Sequence, residues 1–216
     1  MDIDFENLIN SLIKDGYLKT SGIIEAFKKI NRKDFVSEEY KNEAYINAPL
    51  PIGFGQTISQ PLTVAFMLEL LEPKKGERIL DIGSGSGWQT AILSSIVGDP
   101  PAGGGRVVGM ERIPELKEMA ERNVSKYNFI EKNIASIILA DGSFGYKRES
   151  PYDKIIAGAA AVKDIPMEWK KQLKIGGRIV APVGHSVIVI DKISKNEYTK
   201  KEYFGFSFVQ LITINN

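Results

Sequence analysis

The chain has 216 residues, a formal charge of +1, 43% hydrophobic and 25% charged residues, so composition gives no electrostatic case for nucleic acid or an acidic membrane surface. It has no Cys and one His, His185, which excludes disulfides and thiolate catalysis and argues against Ser-His-Asp chemistry and Cys/His zinc sites; no metal site is expected. The N-terminus is acidic where a signal peptide would be basic, and no apolar run reaches membrane-spanning length, so a cytoplasmic location is expected.

Two amphipathic helices are expected first, one carrying Leu8, Ile9, Leu12 and Ile13, the other running from a cap at Ser21 through Ile24, Phe27 and Ile30. Residues 44 to 59 lose this periodicity and carry Pro49, Pro51, Gly53 and Gly55, which predicts a functional loop. Pro61 opens a third helix through Val64, Met67, Leu68 and Leu71, ending near Pro73.

From there the pattern alternates. Strands are expected at 78 to 82, 106 to 110, 136 to 140 and 154 to 159, with helices at about 88 to 97 and 114 to 126, which implies a parallel sheet wound on both faces. Residues 98 to 105 read as a flexible turn. The last third adds a helix near 166 to 173, a Gly176-Gly177 turn, and β-rich segments at 178 to 183, 186 to 193 and 203 to 213.

The first of these strands runs into Ile79-Leu80-Asp81-Ile82-Gly83-Ser84-Gly85-Ser86-Gly87. An apolar strand stopping at alternate glycines reads as a nucleotide loop, because glycine permits the backbone conformations and close ligand approach that a Cβ blocks. A dinucleotide fingerprint would put its last glycine on Trp88, so an NAD-type reading fails. The Asp-x-Gly-x-Gly-x-Gly pattern instead resembles motif I of the class I S-adenosylmethionine methyltransferases.

In a doubly wound sheet the ligand lies beyond the carboxyl ends of the strands. Strand one delivers Asp81 and the loop, whose N–H groups are expected to meet the aminocarboxypropyl end of the cofactor. Strand two ends at Glu111, able to accept from both ribose hydroxyls, and the third at Asp141-Gly142, where an acid can accept from the adenine amino group. Each acid taken alone reads better as a solvated loop carboxylate or a helix cap; their joint placement reverses that preference in favour of the cofactor.

The base-methylating Asn/Asp-Pro-Pro-Tyr/Phe loop is replaced here by Gly158-Ala159-Ala160-Ala161, and the Asp99-Pro100-Pro101 run lies on the wrong side of strand two. Residues 49 to 61, Pro-Leu-Pro-Ile-Gly-Phe-Gly-Gln-Thr-Ile-Ser-Gln-Pro, closely resemble the signature of the protein-L-isoaspartate (D-aspartate) O-methyltransferases. The resemblance continues through Asp81 to Gly87, Glu111 to Leu116, Asp141-Gly142, Pro151-Tyr152-Asp153, Gly158 to Ala161, Gln172-Leu173-Lys174, Gly176-Gly177-Arg178 and Pro182-Val183-Gly184.

The resemblance implies an α/β, Rossmann-like class I methyltransferase sheet with an N-terminal helical extension and a β-rich C-terminal part. The whole chain is then one methyltransferase domain: 1–72 on the substrate side, 73–184 binding S-adenosylmethionine, and 185–216 the C-terminal strands. It implies methylation of L-isoaspartyl α-carboxylates, extending to D-aspartyl residues, in damaged proteins and peptides. The ester then cyclises to a succinimide off the enzyme. Ser59 falls on the active-site serine, and Gln56, Thr57 and Ile58 on a cover over the cofactor. The expected cofactor-binding set is completed by Asp81, Gly83, Ser84, Gly85, Gly87, Glu111, Arg112, Asp141 and Gly142.

From the residues alone, Ser59 also reads as the N-cap of the helix that begins at Pro61. His185, Trp88 and Trp169 read as structural. Three positions depart from the family pattern: Asn47 stands where Asp is usual, a Gln-containing stretch after Gly184 is shortened, and Gln210 replaces Pro. The expected partners are isoaspartyl proteins and peptides, without nucleic acid or membrane, met by a monomer. Rival readings are a class I methyltransferase acting on tRNA or a small molecule, and a cofactor-binding adaptor without turnover.

Overall fold

The structure is a computed structural model that describes residues 2–98 and 104–212. Most of the expected 98-to-105 turn, including Asp99-Pro100-Pro101, therefore lies outside the described residues.

Helix α1, Ile3–Lys14, is capped by the Asp2 carboxylate, which accepts from Asp4 N at 3.1 Å, and buries Phe5, Leu8, Ile9 and Leu12. Helix α2, Ser21–Lys29, follows without the expected Ser21 cap: Thr20 is the N-cap and makes no side-chain capping bond. The residues that lead into this helix are held from a distance. Glu69 accepts from Lys19 N (2.8 Å), Thr20 N (2.9 Å) and Thr20 Oγ1 (2.7 Å).

The loop expected at 44 to 59 contains regular structure. Strands β1, Leu50–Gly53, and β2, Gln56–Ile58, form a small antiparallel hairpin whose tip, Gly53-Phe54-Gly55, has three consecutive positive φ values (92°, 55°, 69°). Glycine chemistry at the tip permits the turn. Helix α3, Pro61–Leu71, comes next and supplies Glu69.

A seven-stranded sheet organises the rest, in the order β5-β4-β3-β6-β7-β8-β9. Strands β3 (Arg78–Ile82), β4 (Arg106–Glu111), β5 (Ala135–Leu139) and β6 (Tyr152–Ala157) run parallel, as does β7 (Leu173–Val183) beside β6. Strands β8 (Ser186–Lys192) and β9 (Tyr198–Phe204) then add antiparallel. Helices α4 (Trp88–Val97), α5 (Pro114–Ser125) and α6 (Met167–Gln172) complete the α/β alternation. Successive residues of each strand face opposite cores. Ile79, Val107, Ile156 and Val180 join α1 to α5 on one side, whereas Leu80, Val108, Ile155 and Ile179 pack with Trp169 on the other.

Three late elements differ from expectation. Gly176-Gly177 is an excursion within β7, where pairing with β6 jumps from Tyr152↔Leu173 to Lys154↔Arg178. The final strand is Tyr198–Phe204 rather than 203 to 213; among the described residues after Phe204, only Gln210 makes a bridge, to Ala160, and residue 213 lies outside the described residues. The shortened stretch after Gly184 is a two-residue turn, Gly184-His185, between the paired Val183 and Ser186. His185 is exposed in that turn. Among the described residues no helix is long and apolar enough to cross a membrane.

Because Glu69 supplies three acceptor contacts to the start of α2, Glu69→Ala should lower stability by about 1–2 kcal/mol in urea denaturation. Glu69→Gln, which keeps one acceptor oxygen, should recover part of the loss.

Candidate active site

Strand order places the carboxyl ends of β3, β4, β5 and β6 side by side, and one cavity opens above them. Its walls come from the loop after β3 (Gly83 to Ser86), the end of β4 (Met110 to Ile113), Ala140 and Gly142 after β5, and Gly158 and Ala159 after β6. The hairpin residues Gln56, Thr57 and Ile58, with Ser59, close it from the side, and Val209 to Ile212 from the C-terminal segment.

The glycine loop is held rigidly by β4. Gly83 N and Ser84 N both donate to the Met110 carbonyl at 2.9 Å, and Gly85 N donates to Glu111 Oε2 at 2.9 Å. Gly87 N donates to Ser84 O at 2.8 Å. These four N–H groups have partners inside the protein. The loop offers the Ser84 hydroxyl, buried without a hydrogen-bond partner.

Gly87 has a different task. A Cβ there would lie 2.9 Å from Val124 Cγ2 and 3.0 Å from Ala120 O, so this glycine lets α5 approach the start of α4, and it does not line the cavity. Gly83, Ser84 and Gly85 do.

The three acids divide. Glu111 is buried in the cavity wall, and besides Gly85 N it accepts from Arg112 N (2.7 Å) and Ile113 N (3.0 Å). A carboxylate has about four lone-pair sites, so it retains room for about one further strong hydrogen bond rather than two. Asp141 accepts from Ser143 N at 2.8 Å and caps the turn Gly142–Phe144; its neighbours Ala140 and Gly142 line the cavity, and Asp141 does not. That turn is fixed by Trp169 Nε1, which donates to Gly142 O at 2.8 Å.

Asp81 lies behind the loop, fully buried, its carboxylate accepting from Gln89 Nε2 (2.7 Å) and Thr90 Oγ1. It is absent from the cavity wall and acts by orienting Gln89, which lines it. Burial raises the Asp81 pKa to about 6, against the lowering effect of Thr90 and Gln89, with the Glu111 charge adding to the rise.

Ser59 is not the expected helix cap. Gln60 occupies the N-cap of α3 and makes no side-chain capping bond; the Leu62 N–H is instead taken by Asn47 Oδ1 at 3.0 Å. Asn47 thus supplies the acceptor that an Asp would also provide. Gln210, the other departure, bridges through its neighbours: Ala160 N donates to Val209 O (2.8 Å) and Leu211 N to Ala160 O (2.9 Å). Neither bond uses the Gln210 N–H, so the position accepts Pro or Gln alike.

A second cleft adjoins the first, lined by Pro49, Gln60, Thr63, Ser207 and Phe208 together with Thr57, Ser59, Gly158 and Val209. The last four line both spaces. Sequence reasoning missed Gln89, Ser86 and the 209-to-212 segment as cavity walls. Gln89 carried a signal, since it stands in the first turn of the helix that follows the glycine loop; the C-terminal segment carried none.

Fold and site together define a class I S-adenosylmethionine-dependent methyltransferase. The family model described as protein-L-isoaspartate(D-aspartate) O-methyltransferase (PCMT) matches residues 4–215. The chain is 40% identical to a protein-L-isoaspartate O-methyltransferase of Staphylothermus marinus over 96% of this chain and 95% of that one. Against one from Methanopyrus kandleri it is 38% identical, covering 96% and 90%. A solved protein-L-isoaspartate O-methyltransferase superposes with a TM-score of 0.83 at 28% identity, covering 95% of this chain and 65% of that one, just under two thirds of its length. A Plasmodium falciparum structure in complex with S-adenosyl-L-homocysteine shares the fold with a TM-score of 0.85 at 23% identity, covering 95% and 97%. The chain belongs to the protein-L-isoaspartate(D-aspartate) O-methyltransferase family.

The buried Asp81 gives a pH signature. Its folded pKa lies above the unfolded value, so its contribution to stability is greatest below about pH 4, is lost as pH rises to about 6, and stays lost above. Asp81→Asn keeps a donor and an acceptor for Thr90 and Gln89. It should gain up to about 3 kcal/mol on the wild type at pH 7, and the gap should shrink toward pH 4 in paired urea titrations.

Proposed function

We propose that the protein is a repair methyltransferase that transfers a methyl group from S-adenosylmethionine to the α-carboxylate of L-isoaspartyl residues in damaged proteins and peptides. The observation that carries this reading is the meeting of the two clefts at Thr57, Ser59, Gly158 and Val209, which supports a cofactor space and an acceptor space sharing one serine.

The cofactor cavity fits S-adenosylmethionine in the chemistry of its donors. The unpartnered Ser84 hydroxyl and the side chains of Gln89 and Arg112 suit its polar amino-acid end and ribose, and the remaining acceptor site of Glu111 suits one ribose hydroxyl. Ile82, Met110, Ile113 and Leu211 give apolar walls for the adenine. When bound, the cofactor supplies an activated methyl group on a cationic sulfur.

The protein's own contribution is placement and dryness. An α-carboxylate is already ionised at neutral pH, so no general base is required, which agrees with a wall that His185 does not reach. The Ser59 hydroxyl, freed from capping, is available to donate to one carboxylate oxygen and leave the other to attack. Gln56, Thr57 and Ile58 cover the approach and exclude water, which favours a reaction between an anion and a cation. The same reading takes the protein as a cytoplasmic monomer that acts on damaged polypeptides and needs neither nucleic acid nor membrane.

Methyl incorporation from labelled cofactor into an isoaspartyl peptide, with the aspartyl peptide and bulk tRNA as controls, should be confined to the isoaspartyl form; methylation of tRNA alone would replace this reading. Ser59→Ala should reduce kcat by about 10²-fold with S-adenosyl-L-homocysteine affinity in calorimetry almost unchanged. Glu111→Ala should weaken that affinity by about 10-fold or more, because it removes a ligand acceptor and the anchor of Gly85 N together.

A further inference from the structure

Arg32 is fully buried, and among the described residues it forms no ion pair. Nη1 donates to the carbonyls of Ala44 (2.8 Å) and Ile46 (3.2 Å), and Nη2 to those of Ala48 (2.9 Å) and Ser59 (3.1 Å). The guanidinium also sits 5.4 Å from the centroid of Trp88, a residue of the cofactor wall. Burial lowers its pKa to about 9, which still leaves it charged at neutral pH.

A buried cation without a counter-ion is costly, and only dense hydrogen bonding offsets that cost. All four carbonyls here belong to the two ends of a single segment: residues 44 to 48 enter the β1–β2 hairpin, and Ser59 leaves it. That hairpin lies outside the seven-stranded sheet, so the bonds secure the hairpin and not the sheet. The anchor itself is held firmly. Asn31 accepts from Lys33 N (2.9 Å) and donates its own N–H to Tyr127 Oη (2.9 Å); Tyr127 donates to Asp34 Oδ2 (2.6 Å), and Lys126 Nζ to Asp34 O (2.7 Å). The turn Arg32–Phe35 is thereby fastened to the end of α5.

We propose that Arg32 is a positioning residue for methyl transfer: its planar fork gathers both ends of the hairpin and fixes where Ser59 stands against the cofactor wall. The proposal rests on Ser59's segment being the acceptor side. The rigid geometry of a guanidinium matters, because a lysine ammonium has three donors at one point and cannot satisfy four carbonyls spread over two nitrogens. Misplacement of the serine by an ångström is enough to slow the reaction without touching the cofactor loop.

The test compares wild type, Arg32→Lys and Arg32→Gln, each measured well below its melting temperature. The readouts are kcat and KM on an isoaspartyl peptide, the Kd of S-adenosyl-L-homocysteine, and amide hydrogen exchange. Arg32→Lys should lose about 10-fold and Arg32→Gln about 100-fold in kcat, with Kd changed less than about 3-fold. Exchange should rise across residues 50 to 59 and stay unchanged in β3 and β4. Unchanged kcat and hairpin exchange in a folded variant would overturn the proposal, as would a uniform rise in exchange that marks Arg32 as a general stabiliser. If Arg32→Gln does not fold, Arg32→Lys decides; if neither folds, the role is structural and the proposal fails. A wild type that methylates no isoaspartyl peptide refutes the acceptor assignment instead, and hairpin exchange then decides on Arg32.

Discussion

The end of β4 holds the loop after β3, and the site depends on that attachment. One carbonyl, Met110 O, receives Gly83 N and Ser84 N, and one carboxylate, Glu111, receives Gly85 N together with Arg112 N and Ile113 N. Parallel pairing of β3 with β4 brings Ile82 beside Met110, so the turn after one strand can be satisfied only by the end of the other. A loop fixed in this way spends the N–H groups of Gly83, Ser84 and Gly85 on the end of β4 and leaves the Ser84 hydroxyl without a partner in the cavity wall. Glu111 therefore shapes the loop while its carboxylate lines the cavity.

Most of the sheet was legible because β3, β4, β5 and β6 are short apolar runs ending at polar or glycine residues, and the alternation with amphipathic helices leaves few alternatives. The cavity's contributors after each strand followed from the topology alone. Capping was harder to read. The bonds that start α2 and α3 come from Glu69 and Asn47, distant in sequence from the helices they cap, and local pattern favoured Ser21 and Ser59 instead. The same limit applies to the acids: sequence position puts Asp81 and Asp141 beside the cavity, but only the packing shows that one carboxylate turns back into α4 and the other onto its own turn.

Small residues set how close the walls come. A Cβ on Gly158 would lie 2.9 Å from Gly83 O, and one on Gly142 would lie 2.5 Å from Ile82 Cγ2, so the backbone after β5 and β6 presses against β3 and its loop. Gly158 lines both clefts, and a Cβ there would displace the loop after β3.

The second cleft is also notable for what lines it. Pro49, Thr57, Ser59, Gln60, Thr63, Gly158, Ser207, Phe208 and Val209 include no charged side chain. A wall of this kind cannot select strongly for or against the charge of residues that flank an acceptor, because selection of that sort needs a fixed opposite charge or a desolvated like one. For a repair enzyme this is the expected economy: damage arises in many sequence contexts, and a cleft that ignores the neighbours can serve all of them. The departures from the family pattern fit this, since Asn47 and Gln210 act through a helix cap and a main-chain bridge that survive the change of side chain.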